Sequence, residues 1–523
     1  MKELSAEEIK KHSNSSSCWI VIHKQAYDLT EFLPEHPGGQ AILLKYAGMD
    51  ASDVYDPIHP PGTIEEYLDK KHHKGRVKET DLKMLQPDDS TKNKSKHGSS
   101  NDEADHVPSL SSCLSLYDFE SIAVSRMTAQ AWAYYSSGSD DEISLRENRA
   151  AFQRVWFRPR ILRDVRRIDY SCQLLGCKSS MPIYITATAL GKLGHPEGEK
   201  NLTIAAGQEG IIQMIPTLAS CAFEELVQAR AESQNQWYQV YVNQDREKTK
   251  KLILKAERAG IKAFFITVDA PQLGRREKDM RLKFEDLGSD VQNKENEKVD
   301  RSQGATRAIS SFIDASLSWD DIPWLKSITK LPILLKGVQS WEDAVMAQER
   351  GLQGIVLSNH GGRQLDYSRS GLEVLVEVVD KLRELGSWNP REFGVFMDGG
   401  VRRASDVLKA LCLGATGVGL GRPFLYAYSV YGSQGVVRAI QILKDEMEMN
   451  MRLSSVPTSL TLSLSAWFMI IDLSCSVGAP TLADLSPDMV DISALKNRVI
   501  DSTPDFKARQ NYIPLPKITA SKL

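Results

Sequence analysis

The run GIVLSNHGGRQ, at positions 354–364, begins with apolar residues and then changes abruptly to polar residues and glycines. A short β-branched run that ends in this way is typical of a buried strand leading into a loop. His360 offers a base that titrates near neutral pH, and Arg363 offers a planar pair of donors suited to a carboxylate. The run therefore predicts a loop that binds a substrate with an acidic proton and a carboxylate. The alternative is a surface turn whose histidine and arginine are solvated.

Seven further strand-like runs flank this one, and helix-length segments such as 248–259 and 341–350 separate them. The eight predicted strands are 182–188, 211–217, 237–242, 263–269, 332–337, 354–359, 395–400 and 417–422. Eight β/α units in about 240 residues predict an α/β fold of the TIM (β/α)8 barrel type. A doubly wound open sheet is the alternative, but no GxGxxG segment opens a helix after a first strand.

Polar and basic residues follow the carboxyl ends of the predicted strands, where TIM barrels carry their chemistry. Asp269 ends the fourth strand, Lys336 lies in the fifth, and His360 follows the sixth. The loops after strands seven and eight combine glycines with Arg402 and Arg422, in positions where such barrels commonly hold phosphate. The alternative for each residue is an ion pair at the rim of the barrel.

A separate small module precedes the barrel. Two short strands are predicted at 19–22 and 25–29, and a Phe-Leu-Pro-Glu-His-Pro-Gly-Gly run follows at 32–39. His36 lies in that run, and His59 lies 23 residues farther on. Two neutral imidazoles can ligate a haem iron on both faces, which leaves no position for O₂ and permits one-electron transfer. Ordinary loop histidines are the alternative, but this run and spacing resemble the cytochrome b5 family.

Composition bounds the remaining possibilities. The net charge of −3 shows no nucleic-acid footprint, and the seven scattered cysteines form no CxxC pair, which argues against disulfides and a zinc site.

The chain is predicted to divide into three parts. The haem module spans residues 1–78, a flexible polar linker spans 79–112, and the barrel spans 113–500. Within the barrel, 454–477 is an atypical apolar insertion, too short for a membrane span and interpreted as a loop or a translated intron.

The sequence carries a possible targeting signal. The tail 501–523 ends in Ser521-Lys522-Leu523, a tripeptide that is read as a peroxisomal address. The first residues, MKELSAEEIKK, form neither a signal peptide nor an Arg-rich transit peptide. We therefore expect a peroxisomal protein. The alternatives are the mitochondrial intermembrane space, if the N-terminus is incomplete, or the cytosol.

The barrel motifs, from Tyr-Tyr-Ser-Ser-Gly at 134–138 to Gly421-Arg422, resemble the FMN-dependent α-hydroxy-acid oxidising enzymes. With the haem module in front, the chain resembles the flavocytochrome b2 family. That resemblance implies FMN and haem b as cofactors, oxidation of an L-2-hydroxy acid such as L-lactate, cytochrome c as a possible acceptor, and a homotetramer. An oxidase that reduces O₂ to H₂O₂, or a non-catalytic electron-relay protein with a degenerate barrel, are the alternatives.

The resemblance also assigns roles to residues. His360 removes the substrate proton, and Asp269 stabilises the resulting imidazolium. The other catalytic residues are Tyr241, Arg276 and Lys336. The substrate contacts are Tyr134, Tyr241, Arg276, Arg363, Ala189 and Leu218. The cofactor contacts are Ala187, Thr188, Ala189, Gln239, Thr267, Lys336, Asp398, Gly399, Gly400, Val401, Arg402, Gly421, Arg422 and, toward the haem, Lys283. The haem iron ligands are His36 and His59. One departure is Pro216, which stands where the family has a flavin-contacting serine.

Overall fold

The structure is a computed structural model that describes residues 3–36, 39–86, 107–284, 312–454 and 485–496. Most of the predicted linker, the predicted insertion beyond Ser454, the C-terminal tail and the side chain of Lys283 lie outside the described residues. Predictions about those parts therefore stay predictions. In the described part, no helix combines the length and the apolar character that a membrane crossing requires.

The N-terminal module is a small α+β domain built on a five-stranded sheet. Its strands are β1 (Glu3–Leu4), β2 (Ser13–Asn14), β3 (Ser17–Ile22), β4 (Gln25–Asp28) and β5 (His73–Val77), in the order β1-β5-β4-β3-β2. Its helices are α1 (Ala6–Lys10), α2 (Gln40–Lys45), α3 (Ser52–Tyr55) and α4 (Thr63–Tyr67). The two strands predicted from the sequence form the β3–β4 hairpin. His23 and Lys24 occupy its two-residue turn with φ of 50° and 66°, as this tight hairpin requires.

Short elements lead from the first domain to the barrel. They are α5 (Leu116–Arg126), α6 (Ala129–Ser136), α7 (Ile143–Gln153), β6 (Trp156–Phe157), β7 (Cys172–Leu174) and β8 (Cys177–Ser179). Helix α5 begins with a capping box, in which Ser115 and Asp118 satisfy each other's backbone N–H groups. Helix α5 packs on the last barrel helix, and α6 brings Tyr134 and Tyr135 to the barrel mouth.

The predicted TIM barrel is confirmed. Its eight parallel strands close in the order β10-β11-β12-β13-β14-β15-β16-β9. They are β9 (Ile183–Ile185), β10 (Ile212–Ile215), β11 (Gln236–Val240), β12 (Phe264–Thr267), β13 (Ile333–Val338), β14 (Gly354–Leu357), β15 (Gly394–Asp398) and β16 (Gly417–Leu420). The helices are α8 (Lys200–Glu209), α9 (Phe223–Gln228), α10 (Arg246–Arg258), α11 (Glu277–Phe284), α12 (Ile322–Ile328), α13 (Trp341–Glu349), α14 (Gly371–Glu384), α15 (Ala404–Cys412) and α16 (Arg422–Leu453). Two short elements follow, β17 (Val490–Asp491), which pairs with β6, and α17 (Ser493–Lys496).

Alternate residues of the barrel strands pack inward and outward. The inward side chains include Tyr184, Trp237, Phe265 and Phe396, which are fully buried and lie in contact with one another. They fill the barrel below its mouth, so the barrel is a packed core and not a pore. Most strands end earlier than the sequence predicts, because their last residues turn into loops that place functional side chains above this core.

The two domains touch on the side of the barrel that carries the loop after β10. Ser220 Oγ donates to the carbonyl oxygen of Pro57 at 3.5 Å, and Lys248 forms a 2.6 Å ion pair with Glu66. Pro57 lies two residues before His59. The first domain therefore presents the segment that carries one predicted iron ligand to the barrel.

Candidate active site

A deep cavity opens at the carboxyl ends of the barrel strands. It holds about 1110 Å³ of empty space when its open mouth is included. Every barrel residue that the resemblance assigns to substrate or flavin lines this cavity. The side chain of Lys283, which the resemblance places toward the haem, lies outside the described residues. Asp269 is the one assigned residue that lies behind the lining, because it supports His360. The structure thus brings the predicted residues together.

His360 and Asp269 form the central pair of the cavity. Nδ1 of His360 lies 3.0 Å from Oδ1 of Asp269. A neutral imidazole that donates its Nδ1–H to this carboxylate keeps the lone pair on Nε2 free to accept a proton. Burial lowers the pKa of His360 despite the nearby carboxylate, and the ring is therefore neutral at neutral pH. Burial acts to raise the pKa of Asp269, but His360 and Lys336 outweigh it and hold that pKa below its ordinary value.

Gly337 makes room for this pair. A Cβ atom at Gly337 would lie 2.5 Å from Cβ and Cγ of Asp269, and the φ of +110° is one that other residues rarely adopt. His360 itself has a φ of 57°, an unusual conformation for a residue with a side chain. The positive φ angles of Gly337 and His360 therefore allow the carboxylate of Asp269 to lie against the imidazole of His360.

Two arginines define one side of the cavity. The guanidinium of Arg363 lies 4.8 Å from the ring centre of Tyr134 and donates to the carbonyl oxygens of Tyr134 and Ser137. Arg276 is buried, and its Nη2 reaches Gln364 at 3.4 Å. Burial and the guanidinium of Arg363 lower the pKa of Arg276 to about 10. Because the charge of Arg363 acts on Arg276, the two cations together favour an anionic substrate group beside them.

Lys336 lies in a hydrogen-bonded network at the base of the cavity. Its Nζ is 3.2 Å from Oδ2 of Asp398 and donates to Oγ of Ser358 at 3.3 Å. Ser358 and Thr186 also donate to Asp398, at 2.5 and 3.0 Å. Burial acts to lower the pKa of Lys336, but Asp398 and Asp269 outweigh it and raise that pKa, which keeps the ammonium charged.

The loops after β15 and β16 form the far end of the cavity. Arg402 donates from Nε to Glu120 at 3.1 Å, and Arg422 donates to the carbonyl oxygens of Tyr135, Ser137 and Gly361. Burial and the charge of Arg363 lower the pKa of Arg422 to about 10. Both side chains line the cavity, but each also holds the loops around it. Any bound phosphate would meet only their remaining N–H groups.

In the N-terminal domain, His36 and His59 face each other. Their ring centres are 6.3 Å apart, and each Nδ1 donates to a carbonyl oxygen at 3.1 Å, Gly39 for His36 and Tyr55 for His59. Both Nε2 atoms are therefore left available. Burial lowers the pKa of His36, and lowers that of His59 to about 4, so both rings are neutral and able to ligate a metal.

Comparison with known proteins shows the family of each domain. Residues 123–467 match the family described as FMN-dependent dehydrogenase. The chain belongs to this family. Residues 5–78 match the cytochrome b5-like Heme/Steroid binding domain. An L-lactate dehydrogenase (cytochrome) from Wickerhamomyces anomalus is 50% identical over 511 residues, 98% of this chain and 83% of that protein. The enzyme of the same name from Saccharomyces cerevisiae is 46% identical over 517 residues, with the same coverage.

Solved structures match as well. A double variant of flavocytochrome b2 with pyruvate bound is 48% identical, covers 79% of this chain and 94% of its own, and has a TM-score of 0.66. The chain is thus an FMN-dependent dehydrogenase with a cytochrome b5-like haem domain, and FMN and haem are its cofactors.

The cavity of this FMN-dependent dehydrogenase fits a flavin mononucleotide. Thr188 Oγ1 is buried there without a hydrogen-bond partner in the described part of the chain. A Cβ atom at Gly421 would lie 3.1 Å from the Cγ2 atoms of Thr186 and Thr188, so the glycine leaves more space in this part of the cavity. Among the described lining residues, one carboxylate, Asp398, faces five cations. The cations are Arg276, Lys336, Arg363, Arg402 and Arg422. This excess of positive charge suits a phosphate together with a carboxylate substrate.

The histidine pair of the b5-like domain fits a haem iron. Two iron–nitrogen bonds of about 2 Å, plus about 1 Å from each nitrogen to its ring centre, require ring centres roughly 6 Å apart. The observed separation is 6.3 Å. Tyr55 stacks on His59 with ring centres 4.2 Å apart, and Phe32 packs edge-on against His36. The geometry therefore suits ligation of one iron by both residues.

Several residues that line the cavity have no role assigned from the sequence. They include Tyr135, Thr186, Leu273, Ile313, Gly419, Pro423 and Leu425. Ser358, which hydrogen-bonds to both Lys336 and Asp398, lies within the central motif, and the sequence alone assigns it no role. Its position at the end of a barrel strand was the available signal. Leu273 and Ile313 lie in loops of irregular sequence, where no pattern marked them. Pro216 lines the cavity, as the resemblance implies.

Proposed function

We propose that this protein oxidises L-lactate, and L-2-hydroxy acids of similar size, to the 2-oxo acid, and delivers the electrons to cytochrome c. The observation that carries the proposal is the combination of His360, backed by Asp269, with Arg276 and Arg363 in one cavity. The similarity to cytochrome-linked L-lactate dehydrogenases over nearly the whole chain supports the substrate and the acceptor.

The residues divide the work of substrate binding and proton removal. Arg276 and Arg363 bind the substrate carboxylate, and Tyr134 and Tyr241 donate to its oxygens. Nε2 of His360 accepts a proton from the bound hydroxy acid. Asp269 stabilises the imidazolium across the 3.0 Å contact, which makes that transfer easier. Bound FMN supplies a two-electron acceptor, and bound haem supplies a one-electron relay.

An anaerobic mixing experiment tests this function. Without oxygen, L-lactate is expected to bleach the flavin absorbance first and then to produce the spectrum of reduced b-type haem. Added cytochrome c should then be reduced in turn. A flavin that is bleached by L-lactate while the haem stays oxidised would contradict the electron route. A flavin that does not respond to any 2-hydroxy acid would contradict the activity itself.

The oxidase is the second candidate, and the terminal Ser521-Lys522-Leu523 favours it, because peroxisomes handle H₂O₂. We propose that this tripeptide is a peroxisomal address. A fluorescent reporter that carries residues 512–523 should enter peroxisomes, and the same reporter without Leu523 should remain in the cytosol. A mitochondrial location of the full-length protein would overturn the peroxisomal address.

The assembly of the protein into a homotetramer, which the family resemblance implies, also stays a prediction.

A further inference from the structure

Glu199 is a fully buried carboxylate that the proposed chemistry does not use. It stands immediately before α8 and is inaccessible to solvent. Its Oε1 accepts from the backbone N–H of Gly191 at 2.7 Å and of Ser220 at 2.9 Å, and its Oε2 accepts from Cys221 at 3.2 Å. No cation in the described part of the chain forms an ion pair with it. Burial raises the pKa of Glu199, and the hydrogen bonds from the backbone N–H groups oppose that rise. A fully buried acidic group held mainly by backbone donors is unusual and points to a defined task.

Those three donors belong to two different loops. Gly191 lies in the loop after β9, and Ser220 and Cys221 lie in the loop after β10. The loops also meet directly, because Leu190 N donates to the carbonyl oxygen of Leu218 at 3.3 Å. The side chain of Glu199 therefore links two adjacent loops at the mouth of the barrel, because its Oε1 accepts a hydrogen bond from each loop.

Each of these loops supplies one wall of the substrate cavity. Ala189 lies two residues before Gly191, Leu218 lies two residues before Ser220, and both Ala189 and Leu218 line the cavity. The fit around the carboxylate is close, since a Cβ atom at Gly191 would lie 2.7 Å from Cδ of Glu199. A change in the length or charge of residue 199 therefore alters the distance between the two walls.

We propose that Glu199 is a positioning residue that sets the separation of Ala189 and Leu218, and thereby the length of 2-hydroxy-acid side chain that the cavity accepts. This inference rests on the proposed function and deepens it. Glu199 does not touch the substrate. It acts through the backbone of the two loops, and its removal should change selectivity between substrates more than the chemistry of proton removal.

The Glu199→Gln variant tests the proposal with little change in volume. A glutamine amide presents N–H groups to at least one backbone N–H, so at least one of the three bonds is lost and the link between the loops is weakened. We expect the ratio of kcat/KM for L-lactate to that for L-2-hydroxyhexanoate to fall about tenfold, the range for contacts of this size. FMN content, and the rate of flavin reduction at saturating L-lactate, should change much less.

Glu197→Gln is the matched control. Glu197 lies two residues away, is largely exposed, and pairs with Lys200 at 3.0 Å on the surface. Its replacement should leave the selectivity ratio unchanged. A double-mutant cycle with Leu218→Ala gives a second readout. Because Leu218→Ala already enlarges the cavity at this wall, adding Glu199→Gln should change the selectivity of the Leu218→Ala variant little.

Each other outcome overturns the inference. An unchanged ratio in Glu199→Gln, or effects that add independently to those of Leu218→Ala, would show that Glu199 does not act through the wall. Glu199→Asp keeps the charge but is too short to reach both loops, and it should shift the ratio in the same direction. If neither variant yields soluble, flavin-loaded protein, Glu199 serves folding and not selectivity. If the wild-type protein oxidises no 2-hydroxy acid, the proposed function fails instead.

Discussion

Replacement of His360 by glutamine is expected to slow flavin reduction by L-lactate by about 10²–10⁴-fold, the range for loss of a general base. Glutamine keeps a polar side chain of similar reach, but it cannot accept a proton at neutral pH. In the proposed function Arg276 and Arg363 bind the substrate carboxylate, so substrate affinity should fall much less. Rapid-mixing absorbance measurements of the flavin under anaerobic conditions give both quantities from the dependence of the rate on substrate concentration.

The pH profile provides a second test of the same residue. The base must be neutral, so kcat/KM should rise as the pH increases through the pKa of His360. Burial lowers that pKa, which places the rise below the ordinary range of histidine. In the glutamine variant this limb should disappear. The control is His195→Gln, because His195 does not line the cavity and contacts Glu197 and Asn201 instead. Flavin reduction at the wild-type rate in His360→Gln would contradict the assignment.

Replacement of either His36 or His59 by alanine is expected to abolish the spectrum of haem ligated by two histidines. Each variant loses one of the two facing nitrogen ligands, and no neighbouring histidine of the described domain replaces it in the 6.3 Å gap. The reduction of cytochrome c by the variant should therefore be lost. Flavin reduction by L-lactate should persist, because the cavity belongs to the barrel and the domains have separate cores. Absorbance spectra of the purified variants and anaerobic mixing measure the two effects.

His23→Ala is the control for this experiment. His23 lies in the turn of the β3–β4 hairpin and pairs with Asp56 at the surface, with more than half of its side chain exposed. Haem content and cytochrome c reduction should therefore be unchanged. Loss of flavin reduction in His36→Ala or His59→Ala would show that the two domains do not work as separate units. Retention of a normal haem spectrum in both would exclude the histidine pair as iron ligands.

Local patterns in the sequence were sufficient to predict the barrel and the polar residues at its strand ends, whereas the roles of individual site residues were implied by the family resemblance. Buried strands of a parallel barrel are short apolar runs, and the chain alternates them with helix-length segments, so the count of eight could be read directly. Because the carboxyl ends of the strands converge at one end of a barrel, the sequence also predicts that His360, Asp269 and Lys336 lie close together. The exact strand ends could not be predicted, because the turn out of each strand depends on neighbours that are distant in sequence.

The sequence by itself therefore determined the barrel architecture and the polar residues near the carboxyl ends of its strands, among them His360, Asp269 and Lys336. The tertiary structure alone decided how those residues are held. Ser358 joins Lys336 to Asp398, and Glu199 ties the loops after β9 and β10 together. Neither arrangement follows from a local pattern. A hydrogen bond between residues from separate β/α units exists only once the closed barrel places their strands side by side, and only then does burial make each unpaired polar group costly enough to require its partner.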